Sequence, residues 1–269
     1  MSASALLRLQ IEHALEHRFP AALSPLPQTL ETAPTGIQEI DDLLAGGLPV
    51  GAITEIAGPQ SSGRTSMTLA FLARHTQEGH ACAWIDCDDV FDPESAAASG
   101  VVLRQLLWVR CRAVSTTEKR KPWPRLEQAI RAADLLLQSG GFAAIVLDLA
   151  ATAPEHASRI PLATWFRFRQ AAARTRCSLV VLDRTPCAQS SAAAVLECTP
   201  LSVHAQGNTV LGGFNFAVRT GRSSASPARG HGRWGGNPVS PADSGSKGGK
   251  KPPAAAWPAG CAWDTEKRA

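Results

Sequence analysis

The run Ile53–Thr65, ITEIAGPQSSGRT, has the residue types and spacing to handle a charged ligand. An apolar stretch gives way to Gly58-Pro59-Gln60-Ser61-Ser62-Gly63, and Arg64, Thr65 and Ser66 open a segment with helical periodicity. A glycine-rich turn between a strand and a helix points several backbone N–H groups at one spot, and the helix N-terminus adds partial positive charge, so the expected ligand there is phosphate. Gly58 and Gly63 have the spacing of such a loop, and Thr65 supplies the hydroxyl that would ligate Mg²⁺. The next position out of step is Arg64, where lysine is the rule. Arginine is longer, planar and forked, and does not fill the slot of a compact ammonium between two phosphates. Nucleotide binding is expected to be weakened, with hydrolysis slow or absent; the bland alternative is a relict loop that serves only the fold.

Three carboxylates complete the candidate constellation. Asp148 ends the run FAAIVLD, where an acid would hold Mg²⁺ through water. Asp86 and Asp88 follow the apolar run after the loop's helix, and one of them is a candidate for orienting an attacking water. Asp88 is the weaker catalytic candidate, being one methylene shorter than the glutamate usual for that task. Each of these acids also suits an ordinary strand end or helix cap.

The elements that must position them alternate. Strands are expected at Ile53–Ala57, Ala81–Asp86, Leu106–Arg110, Phe142–Asp148 and Ser178–Asp183, with helices at Thr65–Glu78, Arg125–Ser139 and around Leu162–Arg169. Pro200–Ala205 and Thr209–Arg219 read as a closing antiparallel hairpin. Continuous apolar strands alternating with helices predict an α/β fold with a mostly parallel sheet covered on both faces. Chemistry in such a sheet belongs at the carboxyl ends of the strands.

Around this body, expected at 36–219, lie two extensions. Ala5–His17 has the spacing of an amphipathic helix, and a Pro-rich linker follows to residue 35. Residues 220–269 hold nine Gly, six Pro and six Ser, and are expected to be a disordered basic tail. Trp234, Trp257 and Trp263 within it are candidate docking anchors. The net charge of +4 comes from this tail: eight basic and three acidic residues fall there, against 19 and 20 in the rest. The body is therefore no basic nucleic-acid platform by total charge. Arg167, Arg169, Arg174 and Arg176, near Trp165 and Phe166, form a local cluster suited to phosphate, to an acidic partner or merely to a solvated helix face. Seven cysteines without a C-x-x-C pair read as reduced, buried thiols of a cytoplasmic protein. No apolar run is long enough for a membrane span, and the first residues do not read as a secretory signal.

The run GIQEIDDLLAGGLPVG from Gly36 to Gly51, the loop that follows it, and EGHACAWIDCDDVFDP resemble the RecA recombinase core. That resemblance implies a RecA-like fold, ATP with Mg²⁺ as cofactor, and Asp92 in the adenine-contacting segment. Several positions depart from the family pattern. Arg64 replaces the lysine, and Asp88 the catalytic glutamate. Leu149 replaces a serine, and Asp183-Arg184 stands where an Asn-Gln senses the γ-phosphate. The intervals Ala150–Pro161 and Thr185–Glu197, where DNA-binding loops would lie, are short. A RecA core stripped in this way is similar to the ImuA family. The resemblance implies a role in SOS mutagenesis by translesion synthesis, through contacts with an ImuB-like Y-family polymerase relative and an error-prone DnaE-type polymerase. RecA itself is a further partner, and DNA contact is weak or indirect. The alternatives are a DNA-dependent ATPase of the RecA type and a SulA-like cell-division inhibitor.

Overall fold

The computed structural model describes residues 31–112, 123–206, 210–223 and 231–236. The expected N-terminal helix, most of the linker, Trp257 and Trp263 lie outside the described residues. In chain order the strands are β1 (Thr32–Ala33), β2 (Leu48–Pro49), β3 (Ile53–Ala57), β4 (Cys82–Asp86), β5 (Leu106–Arg110), β6 (Ala144–Asp148), β7 (Ser178–Asp183), β8 (Ala192–Gln206), β9 (Val210–Ser223) and β10 (His231–Gly236). The helices are α1 (Gln38–Leu43), α2 (Arg64–Gln77), α3 (Pro93–Ala98), α4 (Trp123–Ser139), α5 (Pro154–Ala157) and α6 (Leu162–Thr175).

β1 and β2 make a small antiparallel pair. The other eight strands form one sheet in the order β10-β9-β8-β3-β7-β6-β4-β5. Every pairing from β8 to β5 is parallel, and β9 and β10 close the far side antiparallel. This is the mostly parallel α/β architecture expected from the alternating pattern. A parallel strand needs a crossover, and helices supply it on both faces, which is why the central strands carry apolar residues on both sides.

Two buried layers result. On one face Ile53, Ile85, Ile145, Leu147 and Val181 meet Leu126, Ala133 and Leu137 of α4 and Trp165 and Phe168 of α6. On the other, Ile56, Trp84, Val146 and Leu182 meet Ile40 of α1 and Met67, Phe71 and Leu72 of α2. Removing a fully buried ring such as Phe168 would cost about 3–5 kcal/mol. The six described cysteines, Cys82, Cys87, Cys111, Cys177, Cys187 and Cys198, are free and buried in these layers.

Two expectations need correction. The interval Thr185–Glu197 is not all loop, because β8 begins at Ala192 and pairs with β3 along Ala194–Glu197. The run AAAVLE is small and weakly patterned in isolation, and pairing with a central strand overrides that. Nor does order stop at Thr220. β9 continues to Ser223, and β10, in the Gly-rich stretch that includes Trp234, pairs with it along His231–Gly236. An exposed strand edge recruits backbone N–H and C=O groups whatever the side chains, so composition alone misjudges such a stretch. Among the described residues no helix is long and apolar enough to cross a membrane.

Candidate phosphate site

The loop 58–63 leaves the carboxyl end of β3, between β7 and β8, and runs into α2. Gly58 N donates to the Asp183 carbonyl at 3.2 Å. A Cβ on Gly58 would come within 2.3 Å of the Cys198 carbonyl, so only glycine fits against β8. Gly63 caps α2 at φ +85°, and a Cβ there would stand 2.7 Å from the ring of Phe216 on β9. The glycine spacing thus answers two close approaches as well as the turn. The N–H groups of Gln60, Ser61, Gly63, Arg64 and Thr65 donate to no protein acceptor among the described residues. With α2 behind them they form an anion cradle. A cleft of about 230 Å³ on one side of the loop is lined by residues 61–66 and Phe216. A second, of about 380 Å³, reaches from Gln60, Ser61, Arg64 and Thr65 to Trp84, Asp92 and Asp148. Pro59, Gln60, Ser61, Thr65 and Ser66 are exposed, while Ser62 is buried with its hydroxyl unpartnered.

Arg64 lines both clefts, but its guanidinium is already engaged within the protein. Its side chain is buried, and Nη1 donates to the main-chain carbonyl of Asp183 at the end of β7. Burial lowers its pKa, opposed by the nearby Asp148 and Asp183 carboxylates. The guanidinium therefore serves as a counter-ion to the Asp148 and Asp183 carboxylates.

The acids divide by environment. Asp148 is 5% exposed; its Oδ1 accepts from Ala150 N at 3.0 Å, and burial pushes the carboxyl up to about 6. It lines the larger cleft with Thr65, so the proposed Mg²⁺ pair falls in one place. Asp86 is fully buried and accepts from Val90 N, Phe91 N and Trp108 Nε1, which makes it an anchor for the turn after β4. Asp88 accepts from the Thr152 hydroxyl at 2.7 Å. Asp92 caps α3, accepting from Glu94 N and Ser95 N; the Ser95 hydroxyl holds its carboxyl below the usual range. Arg184 donates through Nε to the Ala150 carbonyl at 3.2 Å, bridging the chain after β7 to the chain after β6. Leu149 is buried in the core.

Sequence reasoning missed Glu55. It lies in mid-β3 and is 1% exposed, and its Oε1 accepts from both Cys187 N and Ala188 N at 2.6 Å. Its Oε2 and the Oδ2 of Asp183 are buried too, and the Cys187 thiol is a hydrogen-bonding neighbour of both carboxyls. Burial raises both carboxyls. A carboxylate inside the otherwise apolar run ITEIA was the available signal, since a charge in a central strand needs a partner. Phe216 was missed because its partner, Gly63, is remote in sequence.

A parallel sheet with a glycine loop at the carboxyl end of a central strand defines a P-loop α/β protein. The RecA N-terminal domain family matches residues 24–158, and the chain belongs to that family. It is 40% identical over 130 residues to Protein RecA of Acinetobacter baumannii strain ATCC 17978, and the same holds for the proteins of strains AYE and SDF. The match covers 48% of this chain and 34% of each relative, so it spans about a third of their length.

Proposed function

We propose that this chain is a RecA-like accessory protein of DNA-damage-induced mutagenic translesion synthesis, similar to ImuA. It acts in the cytoplasm by protein contacts rather than by nucleotide turnover. Its partners are an ImuB-like Y-family polymerase relative and an error-prone DnaE-type polymerase, with RecA as a further contact. The observation that carries the reading is the inward turn of Arg64 onto the Asp183 carbonyl. A P-loop lysine neutralises phosphate charge as it develops; a guanidinium held under the loop does not. The N–H groups of the loop after Pro59 and of the start of α2 would still hold the phosphates of ATP weakly, with Thr65 and Asp148 as the Mg²⁺ ligands and Asp92 at the base. When bound, Mg²⁺ would supply positive charge against the phosphates.

The N-terminal stretch with its Pro-rich linker, residues 1–35, and the tail after β10 are the proposed extensions for partner capture. The test is twofold. ATP turnover with and without single-stranded DNA is expected to match that of Arg64→Ala, while the ImuB-like protein is co-purified by the full chain and lost when both extensions are removed. Undiminished capture without them rejects the docking role.

A second reading, a DNA-dependent ATPase, is favoured by the intact cradle and the exposed Thr65. DNA-stimulated turnover that Arg64→Ala abolishes would select it. A SulA-like inhibitor is disfavoured, because that group generally lacks the phosphate loop kept here.

A further inference from the structure

Helix α6 buries one face as expected, through Thr164, Trp165, Phe168, Ala171 and Ala172. At 100° per residue, Leu162, Phe166, Arg169 and Ala173 fall together in a stripe that flanks the buried face on its Trp165 side. Leu162 is 47% and Phe166 49% exposed, and the Arg169 guanidinium lies 5.8 Å from the Phe166 ring centroid. A surface helix normally turns polar residues outward, so exposed apolar side chains stacked one turn apart beside the core face point to a partner.

The charge around the stripe says what kind. Leu162–Thr175 contains Arg167, Arg169 and Arg174 and no acidic residue. Arg167 pairs with Asp134 of α4 at 3.5 Å, so the nearest acid on the neighbouring helix is already engaged. An apolar centre with a basic rim complements an acidic amphipathic segment, whose apolar residues would cover Leu162 and Phe166 while its carboxylates meet Arg169 and Arg174. Arg169 is already poised over a ring, and its planar fork suits a carboxylate. A second copy of this chain fits poorly, since two such faces would oppose like charges. Nucleic acid fits less well because the basic groups lie along the outer surface of a single helix rather than along a groove that tracks phosphates.

We propose that the Leu162–Phe166–Arg169 face of α6 is a docking site for an acidic amphipathic helix of a protein partner. This goes beyond the reading above and depends neither on nucleotide nor on which partner carries that helix. The experiment uses the full chain and a fluorescent synthetic peptide with Leu and Phe at helical spacing and Glu elsewhere. Its controls are a twin with Lys for Glu and a single-stranded oligonucleotide. Saturable binding of the acidic peptide is expected, weakened about tenfold or more by Phe166→Asp and by Arg169→Glu. Thermal unfolding of Arg169→Glu should be unchanged, so that lost binding is not lost folding. Absence of binding, equal binding by either variant, equal binding of the Lys twin, or displacement of the peptide by the oligonucleotide as the tighter ligand would overturn the site. No mutasome protein is present in this assay, so its failure is distinct from failure of the co-purification test.

Discussion

The Arg64 guanidinium and the Asp183 main-chain carbonyl are joined beneath the phosphate loop, so the residue at the lysine position ties α2 to the end of β7. Gly58 N shares that carbonyl, which places loop, helix and strand on one acceptor. The cation at the lysine position is thus committed to a main-chain acceptor of the protein itself.

Arg64→Lys should reverse this. An ammonium cannot reproduce the fork and is free to turn toward the cradle. We expect ATP affinity, read by calorimetry, to rise about tenfold, equivalent to about 1.4 kcal/mol. The melting temperature should fall, because the buried acids lose their counter-ion. An affinity equal to that of the starting protein would show that the cradle itself limits binding.

Glu55→Ala removes the single acceptor of two buried N–H groups, Cys187 N and Ala188 N. Each orphaned donor costs about 1–3 kcal/mol, so a loss of several degrees in melting temperature is expected. Limited proteolysis should become faster near residues 184–191, while Glu55→Gln, which keeps an acceptor oxygen, should protect that segment better.

Asp148 gives a pH signature. Its carboxyl is raised from 3.8 to about 6, mainly by burial. A raised group stabilises the fold fully below its unfolded value, and that share is lost as pH climbs through the folded value. Asp148→Asn removes this dependence, so its stability relative to the parent should grow between about pH 4 and pH 6, by on the order of 2 kcal/mol, and then level off. Urea unfolding at either end of that window measures the difference; a gap that shrinks with rising pH would contradict the assignment.

Gly63→Ala meets two obstacles, φ +85° and the Phe216 ring. We expect it to be destabilising, with Phe216→Ala relieving the steric part. About 1 kcal/mol should remain in the double variant from the left-handed backbone. A double-mutant cycle with no coupling would mean that the ring simply moves aside.

Much of this was readable from residue types. β3, β5 and β7 fall at the expected residues because uninterrupted apolar runs ending in turns admit few alternatives. α2 begins one residue early, at Arg64, since the helix starts at the loop glycine. What escaped depended on the third dimension. Whether Arg64 points out or in is decided by buried acids on β6 and β7, far along the chain. Ala192–Glu197 and His231–Gly236 become strands because a neighbouring edge accepts them, a fact no local pattern carries. Glu55 could have been flagged by its type, but its two partners lie beyond residue 186.

The buried thiols have a consequence for handling the molecule. Burial pushes Cys82, Cys87, Cys177 and Cys198 up to about 12 and Cys111 to about 11, so native protein presents almost no thiolate at these positions. Alkylating reagents can reach them only when a strand parts from its layer. Each of these sulfurs is a built-in timer, and mass spectrometry of the order in which they are capped would rank the sheet's opening events from edge to centre.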